Sequence, residues 1–511
     1  MEENKTGFVF DENALHETEK GADLSSDNRI FNNHVMRPEF SAPRKYYLER
    51  FDLDKIVEYI RTFSARQGEY LMLEKYFKGY HYIRNRYYTD LSKPNNRLSH
   101  NFPKVIVNTA TSYFTGNPPQ LKSTDIPTVD AVQEVYNYND AHDITSELDR
   151  LSNLYGHAFE VHWREKEDGK TLHRFKYISP KNAMMFYSPE IDEKPVAFVS
   201  WIVEEDEITK AQIYKIRIYD ETYFYDVDFS LQDKATNKPV VSKTEAHLFK
   251  GVPAVEFLNN EERRSSFEDV IDLIDAYNKV VSDTINDVEY WADSYLMLKE
   301  MSGTSSTDIA KMRRNRVLLV DGNGGDASFL NKQTNDKHIE NIKDRLTQDI
   351  HKFSQVPNLH DEQFATNLSG SAIKWKMKDL EDKTSNKERK FQKSFRLRHK
   401  LILSTLGLLE KANDAAEIQV VMTRNIPANI IELAELAAKI PPGLFSNETL
   451  REQFPFAYNE EIEKKRIEAE KEKQLESEMG ANPFANPPNN GDKPPEGGNP
   501  TEPPKNEPPK E

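Results

Sequence analysis

Ser265-Ser266-Phe267-Glu268-Asp269-Val270-Ile271-Asp272-Leu273-Ile274-Asp275-Ala276-Tyr277-Asn278 opens the longest helical pattern in the chain. Ser265 and Glu268 form a Ser-x-x-Glu capping box, which pairs free backbone N–H groups at a helix start. Behind it Phe267, Val270, Ile271, Ile274, Tyr277, Val281, Ile285, Val288, Ala292 and Tyr295 recur at helical spacing. Ser302-Gly303 breaks the pattern. An insert follows, with the apolar run Val317-Leu318-Leu319-Val320 and the turn Asp321-Gly322-Asn323-Gly324-Gly325. A second helix is expected over 336–354, with Ile339, Ile342, Leu346, Ile350 and Phe353 on one face, and Pro357 prevents its continuation. A polar loop, 355–370, leads into a third helix over 371–411, about 60 Å long at roughly 1.5 Å per residue. A helix of that length needs neighbours along it, which identical copies in a ring would supply. Its apolar spacing is too irregular for a coiled-coil stalk.

The whole chain has 511 residues, too many for one compact core. Its formal charge is −16 with 30% charged residues, which argues against gripping nucleic acid through the whole surface. There is no cysteine, so disulfides, thiol catalysis and Cys-ligated metals are excluded. No apolar run approaches the roughly 18 residues of a membrane span. The opening Met-Glu-Glu-Asn-Lys is no signal peptide, so the chain is expected in the cytoplasm where it is made.

Residues 1–45 are polar and aperiodic and read as a flexible arm. Leu53, Ile56, Val57, Ile60 and Phe63 mark a first helix, and a second spans about 68–77. A basic, aromatic stretch follows, Lys78 to Tyr88. Its Arg84 and Arg86 could reach a phosphate, but tyrosines packed under a loop with arginines in solvent is the better reading of an acidic chain. A turn at 93–97 leads to a helix through Val105, Ile106, Val107, Tyr113 and Phe114 that Gly116-Asn117-Pro118-Pro119 stops. One more amphipathic helix is expected over 128–155. From Gly156 the period becomes two: Tyr214, Ile216 and Ile218 alternate with Lys215 and Arg217, and Asp168-Gly169 is a hairpin signal. An antiparallel sheet over 156–257 set between helices makes the class α+β.

Motifs for chemistry are absent. There is no G-x-x-x-x-G-K-[ST], H-E-x-x-H or G-x-S-x-G, so no ATPase, zinc protease or hydrolase signature, and no cofactor is expected. Asp361-Glu362 beside His360 is the adjacency that an acidic chain produces by chance rather than a metal site. His157 and His162 differ by an odd number on a strand, so they face opposite sides, in structural roles. Residues 371–400 are rich in lysine and arginine. They suit pairing with acidic neighbours in a ring of copies better than a nucleic-acid-facing stripe, since the rest of the chain is strongly acidic. The helix 460–478 carries both charge signs on a solvated face. The Pro-, Asn- and Gly-rich tail after Gly480 cannot bury enough apolar area to order itself.

The ordered set Lys93-Pro94-Asn95-Asn96-Arg97-Leu98, Asn101-Phe102-Pro103-Lys104-Val105-Ile106-Val107 and Thr111 to Pro118 resembles the opening signature of portal proteins of tailed bacteriophages, of the siphophage type. Leu273 to Asn278 with Asn286-Asp287, Gln355-Val356-Pro357, Ser369-Gly370, Lys387-Glu388-Arg389, Thr423 to Pro427 and Ser446 to Leu450 continue it, over roughly 50–475. The loop Ala365-Thr366-Asn367-Leu368-Ser369 departs by carrying less Gly and Ser than that pattern.

The resemblance implies a non-enzymatic ring of about twelve copies at one capsid vertex. Double-stranded DNA would pass through it, and the terminase large subunit, a head-completion or adaptor protein, and the major capsid and scaffold proteins would be its partners, with no membrane. It implies a wing over 46–264, stem helices over 265–294 and 336–354, a clip over 295–335, a tunnel loop over 355–370, a long wing helix over 371–411 and a crown over 412–478, with 479–511 a disordered tail. It places Asn358, His360, Gln363, Thr366 and Asn367 at the DNA channel, polar and without a lysine or arginine among them, and Arg313, Arg314 and Arg316 at the partner-docking clip. It implies residence in the virion after assembly in host cytoplasm. The alternatives are another capsid-assembly connector or scaffold protein, or a nucleic-acid-processing enzyme with a helical stalk.

Overall fold

The structure, a computed structural model, describes residues 43–88, 93–205, 212–230, 239–292, 295–299, 305, 307, 326–330, 336–359, 370–407 and 418–425, with a few more between 438 and 472. The chain divides into two units, 1–426 and 427–511, and the fold described is that of the first. It starts with β1 (Tyr46–Tyr47), α1 (Leu53–Thr62), α2 (Ser64–Phe77), α3 (Phe102–Thr115), β2 (Gln120–Lys122), α4 (Ile126–Tyr138) and α5 (Ala141–Tyr155). Strands follow: β3 (His157–Glu167), β4 (Lys170–Ile178), β5 (Ala183–Tyr187), β6 (Pro195–Glu205), β7 (Gln212–Tyr219), β8 (Tyr223–Ser230), β9 (Val240–Ala246) and β10 (Ala254–Leu258). Then come α6 (Ile271–Ala292), β11 (Tyr295–Lys299), β12 (Asp326–Leu330), α7 (Asp336–Ser354), α8 (Gly370–Lys376), α9 (Lys378–Thr405) and β13 (Gln419–Val421). Helices and sheets are mixed, as the α+β reading expects.

Three boundaries differ from the sequence reading. The helix expected over 128–155 is two, because Asp140 takes a left-handed conformation at φ 53° and stops α4 while the apolar pattern runs on. The expected single sheet is two: a three-stranded β10-β3-β4 and a six-stranded β1-β5-β6-β7-β8-β9, in which β1 pairs parallel to β5. The helix expected over 371–411 breaks at Met377, and α9 ends at Thr405 before Gly407 at φ 76°. The Asp168-Gly169 turn forms as read, both residues at positive φ and Glu167 opposite Lys170.

Alternation along the strands builds the layers. Met184 and Phe186 of β5 face the helices, where Phe186 meets Tyr59 and Trp201 meets Phe63, while Met185 faces a smaller cluster with Phe159 and Phe198 between the two sheets. At that junction Arg263 donates to both Glu256 oxygens at 2.9 and 2.7 Å, and His157 joins Glu256 at 2.5 Å and the Tyr70 hydroxyl at 2.6 Å. Gly156 is required here, since at φ 92° any Cβ would lie 2.1 Å from the Arg263 carbonyl oxygen.

The third helix corrects the argument for ring neighbours. Most of α9 is covered by its own chain: Leu380, Phe391, Phe395, Leu401, Ile402 and Leu403 are buried, and Phe391 and Phe395 meet Phe257 of β10. Its fully buried Arg398 donates to both Glu160 oxygens at 2.9 and 2.6 Å and to Thr145 Oγ1 at 3.1 Å. Burial pushes the Glu160 carboxyl up, but Arg398 and His162 outweigh it and hold it below its usual range. His162 Nδ1 lies 2.8 Å from His173 Nε2, and His173 Nδ1 2.8 Å from Thr405 Oγ1. His157 and His162 thus enter separate networks on the two faces of β3.

Burial pushes the His173 imidazole down to about 2 and that of His399, beside Arg398, down to about 3. Both stay neutral in the fold, while the unfolded chain takes up their protons near pH 6.5. Their effect on stability is therefore flat above pH 6.5 and unfavourable below it, by about 1.4 kcal/mol per histidine per pH unit. Urea midpoints at pH 6.5 and 4.5 should differ by an amount that His399→Gln reduces. An unchanged difference in that variant removes His399 from the account.

Candidate functional site

Helices α6 and α7 form a hairpin whose chain reverses through the insert. The neck of that insert is a two-stranded antiparallel ribbon, β11 with β12, from Tyr295 opposite Leu330 to Lys299 opposite Asp326. Burial falls along the hairpin. Near its root Ile271, Ile274, Asn278 and Ser282 of α6 are buried, as are Ile350 and Ser354 of α7. Towards the neck Ile285 is 39% and Val288 66% exposed, and Ile339, Ile342 and Leu346 are only half-buried. An amphipathic pair whose apolar stripe its own chain covers only at one end has surface left for another partner.

The residues read as a turn at 93–97 are instead part of an extended strap lying on α6. The backbone N–H of Asn96 donates to Asn286 Oδ1 at 2.7 Å, that of Leu98 to Ser282 Oγ at 3.0 Å and that of His100 to Asn278 Oδ1 at 2.7 Å. Two residues of extended chain advance about 6.6 Å, and four residues of helix about 6 Å. The two elements therefore keep step, with alternate strap N–H groups meeting every fourth helix side chain. Pro94 has no N–H to offer a further rung. Arg86 fastens the far end: it pairs with Asp283, donates to the Asn96 carbonyl at 2.6 Å and holds Asn95 Oδ1 at 3.2 Å. Arg84 bonds Ser99 at 3.2 Å and lies over the Tyr80 ring. This basic stretch thus braces the hairpin, which corrects the reading of packed tyrosines with arginines in solvent: Tyr80, Tyr82 and Tyr87 are exposed, while Arg86 is largely covered and holds Asp283.

At its root α7 closes with a Schellman motif. Gln355 is left-handed at φ 58°, its N–H bonds the Lys352 carbonyl, and the Val356 N–H bonds the His351 carbonyl, each at 3.2 Å. Val356 is fully buried, and His351 Nδ1 lies 2.9 Å from the Val356 carbonyl oxygen. Lys383 of α9 donates to the Ser354 carbonyl at 2.8 Å and to the Ser266 carbonyl at 3.3 Å, a cation set at the negative end of α7. One side chain thereby joins the start of α6, the end of α7 and α9. The capping box at the other root is half-formed: Glu268 accepts the Ser265 N–H at 3.0 Å, while the Ser265 hydroxyl turns to the Asn153 carbonyl. Glu268 also accepts Arg44 at 2.6 Å.

Of the site residues read from the sequence, Asn358 lies half-buried just past this motif. His360, Gln363, Thr366 and Asn367 lie outside the described residues, as do Arg313, Arg314 and Arg316. The basic stretch 371–400 finds many of its partners within its own chain: Lys387 pairs with Asp149, Lys390 with Glu261, Arg398 with Glu160 and Lys378 with Asp382. Residues 418–425, expected to open the crown, fold into the first unit, where β13 pairs with β2 and Arg424 bonds Glu381 and Glu388. The strap and Lys383 escaped the sequence reading. The only sequence signal for the strap was the Asn278, Ser282, Asn286 spacing on α6, polar positions inside an apolar pattern. Among the described residues no group of three His, Asp or Glu converges as a metal ion requires.

Comparison with known proteins adds the following. A family model described as "Phage portal protein, SPP1 Gp6-like" matches residues 58–477. The portal protein of Clostridium phage phiCD119 is 24% identical over 456 residues, covering 82% of this chain and 98% of that one. The portal protein of Bacillus phage SPP1 is 25% identical over 416 residues, 78% of this chain and 80% of that one. A solved structure described as "Neck of empty GTA particle computed with C6 symmetry" shares 12% identity over 68% of this chain and 88% of that one, with a TM-score of 0.37.

Gln355 holds a conformation that costs an ordinary side chain about 1–2 kcal/mol and that glycine adopts freely. Gln355→Gly should leave the urea midpoint unchanged or raise it, and Gln355→Val should lower it, because a β-branched residue tolerates positive φ least. Equal midpoints for the two variants would show that α7 does not end in the left-handed turn.

Proposed function

This chain belongs to the SPP1 Gp6-like family of phage portal proteins, and on that premise we propose that copies of it close into a ring of about twelve at one capsid vertex. In this reading double-stranded DNA passes through the bore during packaging and ejection. The observation that carries it is the burial gradient of the α6/α7 hairpin, whose apolar residues Ile285 and Val288 are only partly covered by their own chain. In a ring each hairpin meets two neighbours through two different faces, so the surface is covered and the assembly closes. A connector or scaffold protein that acted as a monomer would leave it open to solvent.

The remaining assignments follow the family plan. The hairpin is the stem, and the body over 46–264 is the wing, facing the major capsid and scaffold proteins. The insert over 295–335 is the clip, where Arg313, Arg314 and Arg316 would dock the terminase large subunit and later a head-completion or adaptor protein. The loop over 355–370 lines the narrowest point with Asn358, His360, Gln363, Thr366 and Asn367. These groups hydrogen-bond but displace few counterions from DNA, so they release it easily. The role is structural rather than catalytic, carried out in the virion after assembly in host cytoplasm.

Electron microscopy of the purified chain should show rings with a central hole. Ile285→Asp with Val288→Asp should leave the subunit folded by circular dichroism yet shift native mass to monomers, since a carboxylate replaces apolar surface at every interface. Rings that survive this double change place the interface elsewhere. In the channel, Asn358→Lys, Gln363→Lys and Asn367→Lys together should slow packaging in a salt-sensitive way. Unchanged packaging at low salt by intact rings would put the loop away from the DNA.

A further inference from the structure

His81 stands at the head of the strap, buried between α2 and α6, and its proton inventory is fixed by its neighbours. Asn278 Oδ1 accepts the His100 backbone N–H at 2.7 Å, a group that can only donate. The other half of that amide, Nδ2, therefore faces His81 Nδ1, at 2.8 Å. On the far side of the ring, Nε2 lies 3.0 Å from the Tyr76 carbonyl oxygen, a group that can only accept. Nε2 thus carries the hydrogen and Nδ1 is a bare acceptor. The imidazole is neutral, in one tautomer, with every polar atom matched.

We propose that the strap is a proton-operated latch: protonation of His81 turns its Nδ1 into a donor pointing at the Asn278 NH2 group and breaks the first rung of the strap–α6 ladder. Rotating the amide does not rescue the rung, because it turns the same NH2 group onto the His100 N–H. His100 differs in kind. Its Nδ1 lies 3.2 Å from Asn278 Oδ1 and already serves as a donor there, so a proton on its other nitrogen leaves the rung intact. One histidine therefore opens the latch and its neighbour does not.

The groups packed around His81 set when this happens. Tyr76 of α2 stacks on the imidazole at 4.9 Å, its hydroxyl engaged by Asp275 of α6 at 2.8 Å. Arg84 on its own segment and His100 on the strap are the charged or titratable groups that act on it most directly, and Asn101 lies at the start of α3. Burial, with Arg84 and His100 adding to it, holds the imidazole below its ordinary 6.5. The latch is closed at neutral pH and opens as the pH falls. The rungs at Ser282 and Asn286 lie in the same ladder, so opening at Asn278 exposes strap amides that were hydrogen-bonded to a helix rather than to a sheet.

Hydrogen–deuterium exchange of the full-length chain, corrected for the intrinsic pH dependence of exchange, reads those amides directly. Between pH 6.5 and the depressed value in the closed latch, protection at Asn96, Leu98 and His100 should fall by about tenfold per pH unit, while amides in the middle of α3 keep theirs. His81→Gln offers the same acceptor and donor without a titrating group and should keep the strap protected in acid. Where that variant folds poorly, Asn278→Asp serves, because its carboxylate accepts both the His100 N–H and a protonated His81, and should also stay closed. Wild-type protection unchanged down to pH 4 overturns the latch. So does a loss in His81→Gln or Asn278→Asp that runs in step with the wild type.

Discussion

An extended strand two residues along and a helix four residues along cover nearly the same distance, and the architecture around α6 depends on that coincidence. The strap has no neighbouring strand in the described structure, so its backbone donors need partners from elsewhere, since an unpaired buried N–H is costly. Asn278, Ser282 and Asn286 supply them, which is why a helix otherwise apolar on its inner side carries polar residues at that interval. The strap runs directly into Asn101, whose side chain caps α3 by accepting the Lys104 N–H at 3.3 Å. Arg86 ties its other end to Asp283. Body and hairpin are therefore joined by hydrogen bonds with fixed spacing, not only by apolar contact.

A second constraint acts on α9. Three of its basic side chains point inward: Lys387 lies against Asp149, Arg398 holds Glu160, and Lys383 donates to two backbone carbonyls. Buried ion pairs of this kind add little net stability, but removing one partner costs about 3–5 kcal/mol. Their effect is to hold the helix at one register over β3, β10 and the two roots of the hairpin.

Much of this was legible in the residues. The hairpin helices follow from apolar spacing, and 336–354 coincides with α7 to the residue. The Asp168-Gly169 turn was readable because both positions demand positive φ. Other features left no local trace. Asp140 and Met377 interrupt helices whose apolar pattern continues through the break, so only tertiary packing decides the boundary. The strap has no periodicity of its own and its partners lie some 180 residues further along the chain. Its segment and the Leu273–Asn278 segment were seen as separate pieces of one family signature, and the structure shows that they touch. The second such contact joins Asn117 to the Thr423 and Arg424 carbonyls, at 3.3 and 3.2 Å. For the channel and clip residues, composition and order carried the reading, without a chemical signal of their own.

The neck of the insert has an evolutionary consequence. Where β11 meets β12, Lys299 and Asp326 lie directly opposite each other, so the chain leaves and re-enters the hairpin at one place. Whatever length of polypeptide connects those two residues, the helices behind them need not shift. Loop-closure entropy grows only as the logarithm of length, about 0.6 kcal/mol for each doubling. Lengthening, shortening or exchanging the segment between 299 and 326 is therefore cheap for the fold. A lineage can recast the end of the hairpin while the helices that carry it keep their geometry.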